Sequence, residues 1–318
     1  MYALGIDGGG SHTRALLCDA NGQIIGQGLS GGTNPRTSST AELKAHLQEA
    51  IEQATRSIDC SKIIAAHFGL AGAGEADTRA KVRTITKELL GKQTACTIGH
   101  DLEIALAGGL ANKTGIVLVA GTGSACYGRT CDGRSAKCGD WGELVDDVGS
   151  GSWIGLRALQ ACVSQTDGRL TESPLKQAVM GFLKIDHMNT FKARIHDSGL
   201  SRSERARLAP IILNLANAGD TASTAIVAEG VDALSNCVFH TSRQLSIKAP
   251  FVLLSGGLLK HTYFSNSLEA ALNTRIPSAI ITQPILSPAA GAVLMALKAV
   301  NCEISDANID KLKEASYS

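Results

Sequence analysis

Short apolar runs alternate with helical patterns along the first third of the 318-residue chain. The apolar runs are bounded by Gly, Asn, Asp or Ser, which is typical of buried strands. They predict strands at 3–6, 15–18, 23–26, 63–68 and 94–98. Ser39 and Glu42 form a capping-box pattern that predicts the start of a helix. Five apolar residues then fall on one face of that helix: Leu43, Leu47, Ala50, Ile51 and Ala54. Further helices are predicted at 77–90 and 102–111, so the fold class is α/β.

The opening pattern then repeats itself. A strand at 116–120 is followed by a glycine-rich turn, a strand at 125–129 and a turn at 131–133. The spacing is 113 residues from Asp7 to Ala120 and 111 residues from Asn21 to Asp132. This near-constant spacing predicts a duplicated fold with two domains, 1–112 and 113–318. The second domain is predicted to contain helices at 150–163, 175–182, 221–240 and 288–300 and a strand at 251–254, and the last helix could also pack back on the first domain.

The amino-acid composition argues against nucleic acid and membranes as binding partners. The chain has 30 Lys and Arg against 29 Asp and Glu, a formal net charge of +1. Because the net charge is so small, electrostatic attraction does not favour nucleic acid or an anionic membrane as a partner. Hydrophobic residues make up 44% of the chain, enough for large cores, yet no apolar run reaches the length of a membrane span. There are 34 glycines but only 7 prolines, which indicates tight turns and close approaches of backbone to ligand.

The nine cysteines are scattered and form no C-x-x-C pair. A disulfide scaffold or a ribbon-type zinc site would show closer, paired spacing. The nearest approach to a cluster, Cys126, Cys131 and Cys138, is interpreted as reduced cysteines in the core or on strands. With no pattern of a cleavable leader, a soluble cytoplasmic protein is expected.

The first motif with chemical meaning follows the first strand and runs from Asp7 to Arg14 as D-G-G-G-S-H-T-R. Glycines allow backbone N–H groups to approach phosphates, and the hydroxyls of Ser11 and Thr13 add donors. An Asp at a strand end can organise Mg²⁺ through water. The alternative is an ordinary glycine-rich hairpin, but the second glycine turn, Gly121–Ser124, favours phosphate binding.

A third glycine pattern, G-x-G-x-x-G from Gly26 to Gly31, matches a dinucleotide fingerprint. Such a turn must open its helix at once so that the pyrophosphate meets the helix dipole. Here the next helix is capped only at Ser39, so NAD binding is not expected.

Asp101 follows a predicted strand and precedes a predicted helix. It could be the N-cap of that helix, for which Asp is favoured. It could equally be a general base at the carboxyl end of a strand, where α/β proteins place their ligands.

The densest segment is K-C-G-D-W-G-E-L-V-D-D-V-G-S-G-S-W-I-G, residues 137–155, which holds both tryptophans of the chain. Carboxylates bind sugar hydroxyls well, and an indole offers an apolar face to a sugar ring. The alternative is a turn leading to a helix capped near Asp147 or Ser150, with the tryptophans in the core.

Together these residues resemble the N-acetylglucosamine kinase family, with related bacterial glucosamine kinases, of the actin/hexokinase-like ATPase superfamily. The resemblance follows the whole chain in order and includes Asn34 after a glycine pair and the S-G-G of residues 255–257. Its most specific part is C-G-x-W-G followed by D-x-G-S-x-x-W-I. This chain departs from the family's usual G-D-E-G-S at Val148, which removes a carboxylate beside the sugar and bears on which amino sugar is bound.

The resemblance implies two ribonuclease-H-like lobes with ATP and sugar in the interlobe cleft. Asp101 would accept the proton of the sugar 6-hydroxyl, and Asp7 would organise Mg²⁺. The resemblance assigns ATP to Gly9, Gly10, Ser11, Thr13, Gly121, Thr122, Gly256 and Gly257. It assigns the sugar to Asn34, Asp101, Thr122, Gly123, Trp141 and Asp147. N-acetylglucosamine is the leading substrate, with glucosamine and N-acetylmuramic acid as alternatives, and a homodimer is possible.

A different class remains open, an ATPase that activates a 2-hydroxyacyl-CoA dehydratase. Such activators bridge a dimer through an iron–sulfur cluster on paired loop thiols, whereas Cys126 and Cys131 lie on or beside the second hairpin. An activator function would also give the tryptophan-containing segment 137–155 no role.

Overall fold

The computed structural model describes residues 1–314 and separates them into two compact units. The first unit contains Met1–Gly115, Thr130–Gly133 and residues 283–314. The second unit contains Ile116–Arg129 and Arg134–Thr282.

The described residues form ten strands and twelve α-helices. The strands are β1 (Tyr2–Gly8), β2 (His12–Asp19), β3 (Ile24–Gly31), β4 (Ile63–Leu70), β5 (Ala95–His100), β6 (Gly115–Ala120), β7 (Ser124–Arg129), β8 (Ser135–Gly139), β9 (Phe251–Ser255) and β10 (Ile280–Thr282). The helices are α1 (Thr40–Ala54), α2 (Ala76–Leu90), α3 (Asp101–Gly109), α4 (Gly151–Thr166), α5 (Pro174–Leu183), α6 (Phe191–Ser198), α7 (Arg202–Ala206), α8 (Ala209–Asn217), α9 (Thr221–Gln244), α10 (Thr262–Arg275), α11 (Pro288–Ala299) and α12 (Asp306–Glu314).

The first unit is built on a mixed sheet of strand order β3-β2-β1-β4-β5. The strands β1, β4 and β5 run parallel, so their carboxyl ends meet at one edge of the sheet. In this register Asp7 lies opposite Gly69, which in turn lies opposite Gly99. The chain segments that follow these three strand ends are therefore neighbours.

Helices cover both faces of this sheet. The capping box at Ser39 and Glu42 is present, and the five apolar residues predicted to lie on one face of α1 are all buried. On the other face α11 lies so close to β1 that a side chain at Gly5 would overlap its backbone at Ala289 and Val293. This close approach ties residues 283–314 to the first unit.

The second unit repeats the arrangement with strand order β10-β9-β6-β7-β8. Read from β8, this is the order of the first sheet, so the prediction of a duplicated α/β fold is confirmed. The strands β6, β9 and β10 run parallel, and their carboxyl ends again share one edge. The core lies between the sheet and helices including α4, α8, α9 and α10.

Sequence patterns located most elements to within a few residues but not all of them. The helices α6, α7, α8, α10 and α12 and the strand β10 were not predicted. The units divide at Gly115/Ile116 and again near Gln283, whereas the predicted second domain ran unbroken from residue 113 to the end. No described helix is long and apolar enough to cross a membrane.

The G-x-G-x-x-G pattern has a packing explanation. Side chains at Gly26 and Gly28 would overlap the backbone carbonyls of Ala54 and Ala50 on α1. Two of the three glycines of the dinucleotide-like pattern are therefore needed where a helix lies against β3.

Candidate active site

In the first unit, two carboxylates lie at the shared carboxyl edge of the parallel strands. Asp7 is the penultimate residue of β1, and burial raises the pKa of its carboxyl to about 6. The negative charge of Asp101 raises this pKa further, and Arg14, opposite Asp7 on β2, lowers it. Asp7 and Asp101 therefore interact electrostatically, although 94 residues separate them along the chain.

Asp101 is the first residue of α3, and its N-cap is His100. The alternative that Asp101 caps the helix is therefore wrong. His100 forms a capping box with Glu103, whose side chain accepts a hydrogen bond from the His100 backbone N–H at 3.1 Å. The Nδ1 of His100 also lies 2.5 Å from Oδ1 of Asp101. The Asp101 side chain is 37% exposed, so its carboxylate is accessible from solvent.

The glycine-rich turn after Asp7 leaves two of its predicted donors accessible and buries a third. Gly10 and Ser11 are exposed, and a side chain at Gly10 would meet no protein atom within 4 Å. The Thr13 hydroxyl is fully buried instead, donates to the Gly31 carbonyl at 2.7 Å and lies 2.8 Å from the Thr33 hydroxyl. Thr13 thus ties β2 to the start of the next loop.

Asn34 lies beside this turn. Its neighbour Thr33 donates its backbone N–H to the carbonyl of Gly9 at 3.0 Å. The Asn34 side-chain oxygen accepts from the backbone of Arg36 at 2.9 Å, and the side chain packs against Gly72, just past the end of β4. The structure therefore brings Asn34 to the same edge as Asp7.

In the second unit, the turn Gly121–Gly123 follows β6 and is held by the start of α4. The backbone N–H of Gly151 donates to the Gly121 carbonyl at 2.7 Å, and that of Ser152 donates to the Thr122 carbonyl at 3.2 Å. Ser150 is the N-cap of α4 and accepts from Trp153 N–H. Of the two predicted caps, Ser150 is confirmed and Asp147 is wrong.

The predicted nucleotide glycines lie next to this turn. Gly256 follows β9, adopts a φ of +113°, and packs against Ala120 at the end of β6. This conformation is essentially restricted to glycine. A side chain at Gly257 would meet no protein atom within 4 Å, and one at Gly121 would lie 3.9 Å from the Gly257 nitrogen. Gly121 and Gly257 thus flank one open surface.

Asp147 is the buried carboxylate of this unit, with a side chain only 3% exposed. It accepts the backbone N–H of Ser124 at 3.1 Å and pairs with Arg202 at 2.5 Å. Burial raises the pKa of Asp147, while the bond from Ser124 and the charge of Arg202 oppose that rise. The charges of Asp146 and Asp140 add to it.

The loop before Asp147 presents apolar side chains to solvent. Trp141 is 76% exposed and Leu144 is 95% exposed, so the alternative that this tryptophan is a core residue is wrong. Trp153, in contrast, packs partly buried against the core. An exposed indole and a buried carboxylate on one loop are a combination that suits a sugar ring.

Two cavities lie in the second unit away from Asp147. One of about 770 Å³ begins three residues beyond Gly257 and is lined by Asn214, Lys260, Tyr263 and Asn266, among others. Another of about 860 Å³, between α4 and α9, contains none of the predicted site residues.

A divalent cation fits the electrostatics of the first unit. Burial is the main cause of the raised pKa of Asp7, the charge of Asp101 adds to it, and the charge of Arg14 opposes it. Within residues 1–314 no group of three or more His, Cys, Asp or Glu side chains could enclose a metal. A single carboxylate that holds a hydrated ion matches the way Mg²⁺ is commonly bound alongside substrate phosphates.

Sequence patterns missed His100 and Arg202. His100 stands beside a predicted base and begins an H-x-x-E capping pattern, so a local signal for it existed. Arg202 reaches Asp147 from 55 residues away, and no pattern in the chain links the two.

Sequence comparison shows that the chain is similar to an ATPase family and to amino-sugar kinases. Residues 4–296 match the model of the BadF/BadG/BcrA/BcrD ATPase family. The chain is 31% identical to an N-acetylmuramic acid/N-acetylglucosamine kinase of Clostridium acetobutylicum, over 93% of this chain and 98% of that protein. It is 27% identical to an N-acetyl-D-glucosamine kinase of Dictyostelium discoideum, over 92% of this chain and 97% of that protein.

A solved structure is also similar. The structure resembles that of a candidate N-acetylglucosamine kinase from Chromobacterium violaceum with a TM-score of 0.71 at 26% identity. The match covers 92% of this chain and 98% of that one.

Proposed function

The chain belongs to the BadF/BadG/BcrA/BcrD ATPase family, and on that premise we propose that it is an ATP-dependent amino-sugar kinase. The proposed reaction transfers the γ-phosphoryl group of ATP to the 6-hydroxyl of N-acetyl-D-glucosamine. The observation that carries this proposal is the pair of interacting carboxylates, Asp7 and Asp101, at one sheet edge. Phosphoryl transfer to an alcohol needs two such groups, one to organise the metal and one to accept the proton.

In this proposal Asp101 is the general base. Its carboxylate accepts the proton of the sugar 6-hydroxyl as that oxygen forms a bond to the γ-phosphorus. The bond between the γ-phosphorus and the β–γ bridging oxygen breaks, and ADP leaves with that oxygen. The partial exposure of Asp101 and its fixed position at the start of α3 support this role.

Asp7 holds the hydrated metal. When bound, Mg²⁺ neutralises charge on the phosphate oxygens of ATP. The raised pKa of Asp7 supports this role, because a cation stabilises the charged form of a carboxylate that burial and the nearby Asp101 disfavour.

The glycine turns contact the nucleotide through backbone donors. In the first unit these are Gly9, Gly10 and Ser11, with Thr13 supporting the turn because its hydroxyl already donates to Gly31. In the second unit Gly121, Thr122, Gly256 and Gly257 serve this purpose, since Gly121 and Gly257 border an open surface. The cavity beyond Gly257, with its amides, Lys260 and Tyr263, is proposed to take the adenosine moiety.

The sugar is assigned to Asn34 and Asp101 in the first unit and to Thr122, Gly123, Trp141 and Asp147 in the second. Asp147 accepts a hydrogen bond from the sugar, and the exposed Trp141 covers an apolar face of the ring. Val148 contributes its backbone carbonyl to Ser124 at 3.1 Å. It adds no carboxylate beside Asp147.

An ADP-release assay tests this proposal. Mg²⁺-ATP is supplied with N-acetylglucosamine, glucosamine, N-acetylmuramic acid or glucose, and the product is identified by mass spectrometry and NMR. The proposal predicts release that depends on the sugar and is fastest with N-acetylglucosamine, with phosphate on O6. Equal ADP release with and without every sugar would contradict it and favour a sugar-independent ATPase.

A further inference from the structure

Two strands and one helix of the second unit bring three cysteines together. Cys126 on β7 lies directly opposite Cys138 on β8 in the antiparallel register, so both side chains lie on the same face of the sheet. The helix α9 packs on that face, where the Thr241 hydroxyl donates to Sγ of Cys126 at 3.4 Å. Cys237 lies about one helical turn before Thr241, and its thiol donates a hydrogen bond to Cys138. Each strand cysteine therefore has its own partner on α9.

The two contacts differ in their surroundings. Cys126 is fully buried, and burial raises the pKa of its thiol to about 12, so Cys126 acts as a packing residue of the core. Cys138 and Cys237 are only partly buried, and both line a cavity of about 210 Å³. This volume far exceeds the ~10–15 Å³ that one water molecule requires, so a small oxidant such as hydrogen peroxide fits beside the two thiols.

The hydrogen bond between the two thiols separates their roles. It lowers the pKa of Cys138 to about 7 and raises the pKa of Cys237. Burial and the negative charge of Asp146, which lines the same cavity, oppose the effect at Cys138. The thiolate is the nucleophilic form of cysteine. Cys138 is therefore placed to react first with an oxidant, and Cys237 is placed to react second.

The walls of this cavity belong to the segment that holds Asp147. Ser124 donates its backbone N–H to Asp147 at 3.1 Å and its hydroxyl to the Val148 carbonyl at 3.1 Å. Ser124, Asp146 and Val148 all line the cavity. The strand β8 ends one residue after Cys138, so the loop that leads to Asp147 starts beside the cavity.

We propose that Cys138 and Cys237 form a reversible disulfide, with a peroxide as the oxidant, and that this bond disables the sugar-binding segment. The Cys138 sulfur attacks one oxygen of hydrogen peroxide, the O–O bond breaks, and a sulfenic acid forms. The hydroxide that leaves takes up the proton that Cys138 released. The Cys237 sulfur then attacks the Cys138 sulfur, the S–O bond breaks, and the hydroxyl group leaves as water with the proton of Cys237. Two thiols are thus oxidised, and one hydrogen peroxide is reduced to two waters.

The disulfide would displace the segment that holds Asp147. A covalent bond holds two sulfurs closer than a hydrogen bond does, so oxidation draws β8 toward α9. The walls of the cavity at Ser124 and Val148 then shift, and both residues position Asp147. A misplacement of about 1 Å can lower a rate about a hundredfold. This consequence rests on the proposed function, because it assigns the sugar to Asp147.

The experiment oxidises the full chain with hydrogen peroxide and maps its cysteines. Wild type, Cys138→Ala, Cys237→Ala and the control Cys131→Ala are oxidised, blocked with N-ethylmaleimide and digested with trypsin. Cys131 is an exposed thiol in the turn between β7 and β8 and serves as the matched control. Cleavage after lysine and arginine places each of these cysteines, and Cys126, on a separate peptide. Melting temperature verifies that each variant is folded.

We expect wild type to yield a linked pair of the peptides 138–157 and 208–243. The pair should be about 2 Da lighter than the sum of its parts and should separate in dithiothreitol. Cys131→Ala should give the same pair. In Cys237→Ala, Cys138 should remain a sulfenic acid that dimedone captures, because no second thiol reaches it. In Cys138→Ala, Cys237 should stay unmodified.

The kinetic consequence is measured on the same samples. Oxidation should lower kcat/KM for N-acetylglucosamine about 10- to 100-fold in wild type and in Cys131→Ala. Dithiothreitol should restore the original value. In Cys237→Ala the same peroxide should change kcat/KM less than about threefold, because no bond can draw β8 toward α9.

A link between Cys138 and Cys126, or oxidation of Cys138 without a link to Cys237, would overturn the proposal. So would thiols that stay reduced, or a complete disulfide that leaves kcat/KM unchanged. Absence of sugar-dependent turnover in the reduced protein would refute the proposed function instead. The peptide map of wild type needs neither activity nor a variant, so it then still tests the disulfide: its formation would support the proposed modification site, and its absence would overturn it.

Discussion

Nδ1 of His100 lies 2.5 Å from Oδ1 of Asp101, so the imidazole donates a hydrogen bond to the carboxylate whenever Nδ1 carries a hydrogen. In the other tautomer Nδ1 accepts from the backbone N–H of Leu102 at 3.3 Å and caps α3. The Leu102 N–H also lies 3.0 Å from Oδ1 of Asp101 and donates to it. Contacts with His100 and Leu102 therefore orient the carboxylate of the proposed base.

His100→Ala should lower kcat about tenfold, because loss of a charged hydrogen bond of about 1.4 kcal/mol leaves Asp101 free to rotate. His100→Asn is the matched control, since Asn caps helices well and has an amide donor, and it should retain more activity. Steady-state kinetics across pH 5–9 with melting temperatures provides the measurement. A reduced melting temperature with unchanged kcat in His100→Ala would limit His100 to capping α3.

Asp7→Asn should stabilise the metal-free protein above pH 6. The pKa of Asp7 is about 6 in the folded protein against 3.8 unfolded, so the folded state binds the proton more tightly. Protonated Asp7 therefore contributes to the free energy of unfolding below pH 4, and this contribution is lost as the pH rises through 6. The variant should therefore gain at most about 3 kcal/mol at pH 8 and nothing at pH 4.

Mg²⁺ provides the second half of that test. Addition of Mg²⁺-ATP should raise the melting temperature of wild type more than that of Asp7→Asn. Melting curves in EDTA and in Mg²⁺ from pH 4 to 8 give both results. Identical pH dependence and identical response to Mg²⁺ in the two proteins would remove Asp7 from the metal site.

Gly257→Val and Gly256→Ala should separate ligand binding from folding. Gly257 has open space where a side chain would begin, so Gly257→Val should melt within about 2 °C of wild type, a change of about 1 kcal/mol or less, and raise the KM for ATP. Gly256 has a φ of +113° and abuts Ala120, so Gly256→Ala should lose about 1–3 kcal/mol or more of stability. Thermal denaturation and ATP titration measure both. Normal ATP affinity in folded Gly257→Val would exclude that face from the nucleotide site.

Cys138 should be unusually reactive for a partly buried thiol. A hydrogen bond from the Cys237 thiol lowers the pKa of Cys138 to about 7, whereas burial raises that of Cys126 to about 12. Cys138 also lines a cavity of about 210 Å³ with Cys237. Iodoacetamide should therefore label Cys138 far faster than Cys126 at pH 7, because the thiolate is the reacting form.

The pH dependence of labelling tests the cause. The rate at Cys138, followed by peptide mass spectrometry, should level off between pH 7 and 8 in wild type. In Cys237→Ala, which lacks the donor, it should keep rising toward higher pH. A wild-type rate that still increases in proportion to hydroxide at pH 9 would contradict the lowered pKa.

The sequence located residues whose role follows from strand order. Asp7 and Asp101 each stand at or just beyond the end of an apolar run, and parallel strands bring such ends to one edge, so their proximity could be predicted. The capping box at Ser39 could also be predicted, because Ser39 and Glu42 lie within four consecutive residues. His100 was missed, although its H-x-x-E pattern is local, because the adjacent Asp101 is the more typical N-cap residue.

Other features depend on contacts that no local pattern encodes. Arg202 meets Asp147 through packing of the short helix α7, whose five residues carry too little periodicity to predict. The segment 283–314 follows the second domain in chain order, and its apolar helix α11 packs on β1, the alternative stated for the last helix, where Gly5 leaves space for it. Tertiary packing decided both outcomes.

The most direct test of the proposed mechanism is the single-turnover rate of Asp101→Asn with Mg²⁺-ATP and N-acetylglucosamine. His100 caps α3, so the substitution should leave the melting temperature and sugar affinity close to wild type. Loss of the general base should lower the rate of phosphoryl transfer by about 10²–10⁴. Removal of a general base typically lowers a rate at least about a hundredfold. A folded variant that retains more than about a third of the wild-type rate would therefore contradict the assignment of Asp101 as the base.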